Sequence, residues 1–99
     1  MIKILYIGRH PEILETVLRL INNNENWFGI GAATNEEAIS IFAKQEFNLV
    51  LLGCGIDEES ENELISNFRL LRPSIPIIQH YGGGSGLLKN EILCAIQSQ

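Results

Sequence analysis

Short runs of consecutive apolar residues alternate along the chain with stretches in which apolar residues recur every three or four positions. That is the pattern of βαβ units around a parallel sheet. The first run, Ile2–Ile7, is almost wholly apolar, as a strand covered by helices on both faces must be. Pro11 suits the first turn of a helix. Ile13, Leu14, Val17, Leu18 and Ile21 then give one buried stripe, which ends at Asn22-Asn-Asn24. The second strand, Trp27–Ala33, is weakened by Gly29 and Gly31 and reads as an edge. Thr34 and Glu37 form a capping box, hydroxyl and carboxylate each satisfying an amide at the start of a helix whose inward face is Ala38, Ile41 and Phe42.

Phe47–Leu52 is an uninterrupted apolar run that fits the centre of the sheet. After Gly53-Cys54-Gly55 an acidic helix start runs from Asp57 to Glu63, where carboxylates are favoured by the positive end of the helix dipole. Leu64, Ile65, Phe68 and Leu71 form that helix's buried side, and Pro73 stops it. Ile75–Gln79 is a fourth strand, and Ser85 caps a last helix in which Leu88, Ile92, Ala95 and Ile96 share a face. The expected fold is therefore a single α/β domain over residues 1–99, a truncated (βα)4 unit. Right-handed crossovers with one reversal make it a three-layer, flavodoxin-like sandwich with parallel strand order 2-1-3-4. Roughly eight residues separate the fourth strand from Leu87-Leu-Lys89, fewer than a parallel crossover needs, so no fifth strand is expected.

Composition narrows the function classes. Ninety-nine residues, 45% apolar and 19% charged, suit one globular core and exclude a disordered tail. The formal charge is −5 and the seven lysines and arginines are scattered, which argues against nucleic acid as a partner. Cys54 and Cys94 match neither a disulfide framework nor a zinc pattern. The opening apolar run is too short for a signal peptide or a membrane span, so a cytoplasmic protein with no membrane partner is expected.

Three segments resemble one family. Lys3-Ile-Leu-Tyr-Ile-Gly-Arg-His-Pro-Glu-Ile13 is similar to the opening of response-regulator receiver domains (the CheY-like family). Phe47-Asn-Leu-Val-Leu-Leu-Gly53 is similar to their third strand, and Leu70-Leu-Arg-Pro-Ser-Ile-Pro-Ile-Ile78 to the passage into their fourth. The resemblance implies a signalling domain with a phospho-accepting aspartate after the third strand and acidic metal ligands after the first. Here the acceptor position falls on Gly53, and the ligand positions on Gly8 and Arg9, neither of which can hold Mg²⁺. The family's hydroxyl residue after the fourth strand falls near Tyr81, and Lys89 matches its later lysine loosely. Without nucleophile and metal ligands, phosphoryl transfer loses its charge neutralisation and in-line positioning. Asp57 could be called a displaced acceptor, but no acidic pair remains to bind the metal it would need. The expectation is a pseudo-receiver, a binding module and not an enzyme, with no cofactor and no metal.

The sheet rim at the strand carboxyl ends, where ligands of open parallel sheets sit, carries Gly8, Arg9, His10, Gly53, Cys54 and Tyr81. Two readings stand for it. Backbone amides and Arg9 could cradle a small anion, or the glycines simply permit tight turns and Arg9 is solvated. His10 and His80 have no partner at metal-ligand spacing, and Cys54 has no definable base. Gly82–Gly86 lacks the lysine of a phosphate loop and reads as a connector. A carrier similar to the small phosphotransferase-system IIB proteins would need a cysteine after the first strand, where this chain has Gly8-Arg9-His10. An absent fifth strand leaves the edge of the fourth, with Ile75, Ile77 and Ile78, open to a protein partner, either another signalling protein or a second copy in a homodimer.

Overall fold

In the computed structural model, which describes residues 2–53 and 55–79, the apolar runs line up as one parallel sheet. The elements follow in the order β1 (Ile2–Ile7), α1 (Pro11–Asn22), β2 (Trp27–Ala32), α2 (Asn35–Lys44), β3 (Leu49–Leu52), α3 (Glu58–Leu71) and β4 (Ile77–Gln79). The strand order is β2-β1-β3-β4, with β1 paired to both β2 and β3 and β4 paired to β3. Among the described residues this is the flavodoxin-like strand order that the pattern predicts, with β2 at an edge. The last helix expected after Ser85, and the question of a fifth strand, lie outside the described residues. Among those residues, no helix is long and apolar enough to cross a membrane.

Alternate residues of each strand feed two separate cores, which makes the architecture three-layered. Leu5, Ile7, Val50 and Leu52 face α2 and α3, packing with Ala38, Phe42, Leu64 and Phe68. Ile4, Tyr6, Leu49 and Leu51 face α1, packing with Val17, Ile21 and Trp27. Aromatic rings hold the first core: Phe42 and Phe68 meet at a tilt with centroids 4.5 Å apart, and Phe42 is parallel to Phe47 at 5.9 Å.

Gly29 and Gly31 do more than weaken a strand. A Cβ at Gly31 would come 2.5 Å from Leu18 Cδ1, and one at Gly29 would come 2.9 Å from Ile21 Cγ2. The missing side chains are what let α1 settle onto β2. The outer edge of β2 is protected locally: the Asn22 amide accepts from Gly29 N at 2.9 Å and donates back to Gly29 O at 3.4 Å.

The capping box forms, with one shift. Thr34 Oγ1 accepts from Glu37 N at 3.1 Å, while the Glu37 carboxylate takes the amide of Ala33, one residue before the cap. The strands are shorter than predicted, β3 starting at Leu49 and β4 at Ile77, with Phe47 and Ile75 buried just ahead of them. Two expected core positions are exposed. Ile13 is 41% exposed because the α1 stripe runs through Leu14, Val17, Leu18 and Ile21. Leu71 is 54% exposed because Arg72 covers the end of the core instead, its guanidinium lying 5.1 Å from the Phe42 ring centroid.

Candidate functional site

The carboxyl ends of β1 and β3 are locked side by side. Gly53 N donates to Ile7 O at 2.7 Å, and Gly8 N donates to Ala32 O at 3.1 Å. Two of the three predicted rim loops meet here. Gly55 has φ +88°, a backbone conformation that L side chains rarely adopt, and a Cβ on it would lie 3.0 Å from Arg9 Cβ and 3.3 Å from His10 Nε2. The loop after β3 therefore lies directly against Gly8-Arg9-His10. Cys54 and Tyr81, with the third rim loop, lie outside the described residues.

Tyr6 fills the space between the two strand ends. Its side chain is 1% exposed and points, like those of Ile4 and Leu51, towards the α1 layer. A Cβ built on Gly53 would stand 2.6 Å from Tyr6 Cζ, closer still to its hydroxyl, and 3.0 Å from the carbonyl oxygen of Ile7. A Cβ built on Gly8 would stand 3.0 Å from Tyr6 Cε2. The ring thus occupies the volume into which side chains at positions 8 and 53 would grow. A side chain at Gly53 would require the phenol to move, and one at Gly8 would press closely on its ring. Sequence reading missed this residue, counting it as one more apolar strand position. The available signal was an aromatic residue two positions before Gly8, on the same strand face.

Arg9 is half-buried and engaged. Its guanidinium donates to Ala33 O at 2.7 Å and to Asn35 Oδ1, tying the end of β1 to the start of α2. Asn35 in turn donates to Ser60 O at 3.4 Å, which extends the link to α3. Arg9 is therefore not freely solvated, as one reading of the rim had it, but partly engaged by neutral acceptors of the protein. His10 is exposed and is the residue before α1, but its side chain makes no capping hydrogen bond.

Asp57 caps α3, its Oδ1 accepting from Ser60 N at 2.9 Å. The Ser60 side-chain hydrogen bond, then the Ser60 backbone bond and the charge of Arg9, hold its carboxyl below the usual value of 3.8. The carboxylate is spent on the helix start. Among the described residues, no group of three or more His, Cys, Asp or Glu side chains comes together as a metal site. Among the described residues the rim ties the end of β1 to the starts of α2 and α3 and fills the space between β1 and β3 with Tyr6.

The fold is shared with known proteins. The chemotaxis protein CheY4 of Vibrio cholerae superposes with a TM-score of 0.85 at 13% identity, over 96% of this chain and 98% of that one. A response-regulator receiver domain from Clostridium thermocellum gives 0.72 at 22% identity, over 95% and 74% of the two chains. TrrA of Thermotoga maritima, solved in complex with Mg²⁺–BeF, gives 0.70 at 25% identity, over 82% and 70%. No protein-family model matches the sequence, and no curated protein matches it. The likeness is one of fold: the chain has the fold of receiver domains, the fold that the three sequence segments imply.

Proposed function

We propose that this chain is a pseudo-receiver, a signalling module that acts through protein contacts and undergoes no phosphorylation. The observation that carries the reading is the Tyr6 ring standing where an acceptor side chain on Gly53 would grow. Phosphoryl transfer to a receiver needs a carboxylate nucleophile and a divalent cation held by hard oxygen ligands. Gly53 supplies no nucleophile, and Gly8 and Arg9 supply no ligand. Arg9 carries its own positive charge into the same corner and spends it on Ala33 and Asn35. A cation arriving there would meet a guanidinium and no paired carboxylates. What remains for the domain to do is to present a surface, and the side of β4 away from β3 is the one we assign to a protein partner.

The test is incubation with acetyl phosphate and Mg²⁺, followed by intact-mass measurement under conditions that preserve acyl phosphates. The expected spectrum shows the unmodified mass alone. Stoichiometric addition of one phosphoryl group would overturn the proposal.

A further inference from the structure

The end of the sheet opposite the rim carries a group of three cations. Lys3, Arg69 and Arg72 are three of the seven lysines and arginines in a chain whose net charge is −5. Arg69 and Arg72 line a space of about 860 Å³ beside β4, together with Ile75 to Ile78, and Lys3 lines a second space of about 440 Å³ that shares Phe47, Asn48 and Arg72 with the first. Glu46, which also lines the smaller space, is the one carboxylate among the lining residues.

These cations are held by neutral groups. Lys3 Nζ donates to Gln45 Oε1 at 2.9 Å and lies 5.4 Å from the Phe47 ring centroid. Arg72 donates to Gln45 O at 3.1 Å, and Arg69 donates to Pro73 O at 3.0 Å and Ile75 O at 3.2 Å. Among the described residues the ion pair formed is Arg19 with Glu15, on α1 and far from this cleft in sequence. The side chains are therefore positioned while their charge is not neutralised.

The wall of the cleft is the edge of a strand. Ile75, Pro76, Ile77 and Ile78 all line it, although Ile77 packs towards one core and Ile78 towards the other. Consecutive residues of a strand point to opposite faces, so a cleft that touches all of them approaches the backbone edge-on. Among the described residues β4 has one strand partner, β3.

We infer that this cleft takes an extended segment of a partner protein in which acidic side chains alternate with apolar ones. Its apolar side chains pack on Phe47 and Ile75 to Ile78 in the larger space, and its carboxylates meet Arg69 and Arg72 there and Lys3 in the smaller one. Charge complementarity selects the partner. Three cations are too few for a nucleic-acid backbone, and an acidic protein repels one. The inference rests on the protein-interaction reading above and adds the surface and the chemistry of the partner.

The experiment is a titration of the isotope-labelled chain with a synthetic peptide of alternating Asp and Val, followed by amide chemical shifts, with a Lys–Val peptide as control. No phosphodonor is present, so a failure here is separate from a failure of the labelling test. The acidic peptide is expected to shift amides of residues 47–48 and 69–78, and to bind about tenfold more weakly in Arg69→Gln/Arg72→Gln. Because Arg72 also packs on Phe42, Lys3→Gln serves as a second variant and is expected to weaken binding about threefold with the fold intact. Equal binding of the Lys–Val peptide, absence of binding, or shifts confined to the rim would overturn the inference. So would concentration-dependent shifts of residues 69–78 without peptide, which would give the cleft to a second copy.

Discussion

Replacing Gly53 by alanine adds one methyl group at the end of β3, and the sign of its effect on stability tests the packing around Tyr6. In open space the change would stabilise the chain by about 0.4–1 kcal/mol, because alanine loses less backbone freedom on folding. Here the added carbon would stand 2.6 Å from Tyr6 Cζ and 3.0 Å from Ile7 O, in a buried corner where the ring is 1% exposed. Overpacking of that kind costs about 1–3 kcal/mol, so a net loss of about 1–2 kcal/mol is expected. The partner variant Tyr6→Val opens the space, at a cost of about 2–4 kcal/mol for the lost ring. Against that background Gly53→Ala should cost little, leaving a few tenths of a kcal/mol from the Ile7 carbonyl. The coupling between the two positions is then about 1–2 kcal/mol. Urea denaturation followed by circular dichroism and by fluorescence of Trp27, the single tryptophan and 8% exposed, gives all four corners of the cycle. A Gly53→Ala chain as stable as the parent would refute the claim that the phenol fills the acceptor position.

The same logic applies at the α1–β2 contact, where Gly31→Ala should cost about 1–2 kcal/mol through its 2.5 Å approach to Leu18 Cδ1. Thermal denaturation reads it, and the cost should largely disappear in a Leu18→Ala background. At α3, the Asp57 carboxyl is held below 3.8 in the folded chain, so its ionised form favours folding. That contribution is present above the unfolded value of about 3.8 and is lost as pH falls through the lower folded value. Asp57→Asn should therefore be less stable than the parent near pH 6, with the gap closing below about pH 3.8. A gap in urea midpoint that stays constant across that range would contradict the assignment.

Element order and the division of residues between helices were legible because each rests on local signals, and the strand order followed from the handedness rule for parallel crossovers. Four apolar runs, the cap at Thr34 and a stop at Pro73 are all read within a few residues. The misplaced positions are those where a competing side chain decides burial. Leu71 has the right period for the core of α3, yet the long stem of Arg72 reaches Phe42 first. The site was legible as an absence: Gly8, Arg9 and Gly53 stand where carboxylates would be needed. What fills the absence was hidden, since Tyr6 is an unremarkable strand residue until β1 and β3 are placed side by side. The bond from Arg9 to Asn35 is hidden for the same reason, joining residues 26 apart through the pairing of β1 with β2.

The distribution of charge along α3 bears on which end of the sheet a partner meets. The helix begins near the rim with Asp57, Glu58, Glu59 and Glu61, and ends with Arg69 and Arg72 at the opposite side. This arrangement complements the helix dipole, which makes it favourable for folding whatever the function. It also sets the field outside the protein. An anionic ligand approaching the rim meets these carboxylates, and Arg9, the nearby guanidinium, is already bound to Ala33 and Asn35. An acidic peptide approaching the other end meets Lys3, Arg69 and Arg72, with Glu46 as the one opposing charge among the lining residues. Screening confines each effect to about 8–10 Å at physiological salt. The two ends of α3, about 20 Å apart at 1.5 Å per residue, therefore act as independent surfaces. Raising the salt concentration should weaken peptide binding at the β4 cleft while leaving the Arg9 link, which is half-buried and made to neutral acceptors, in place.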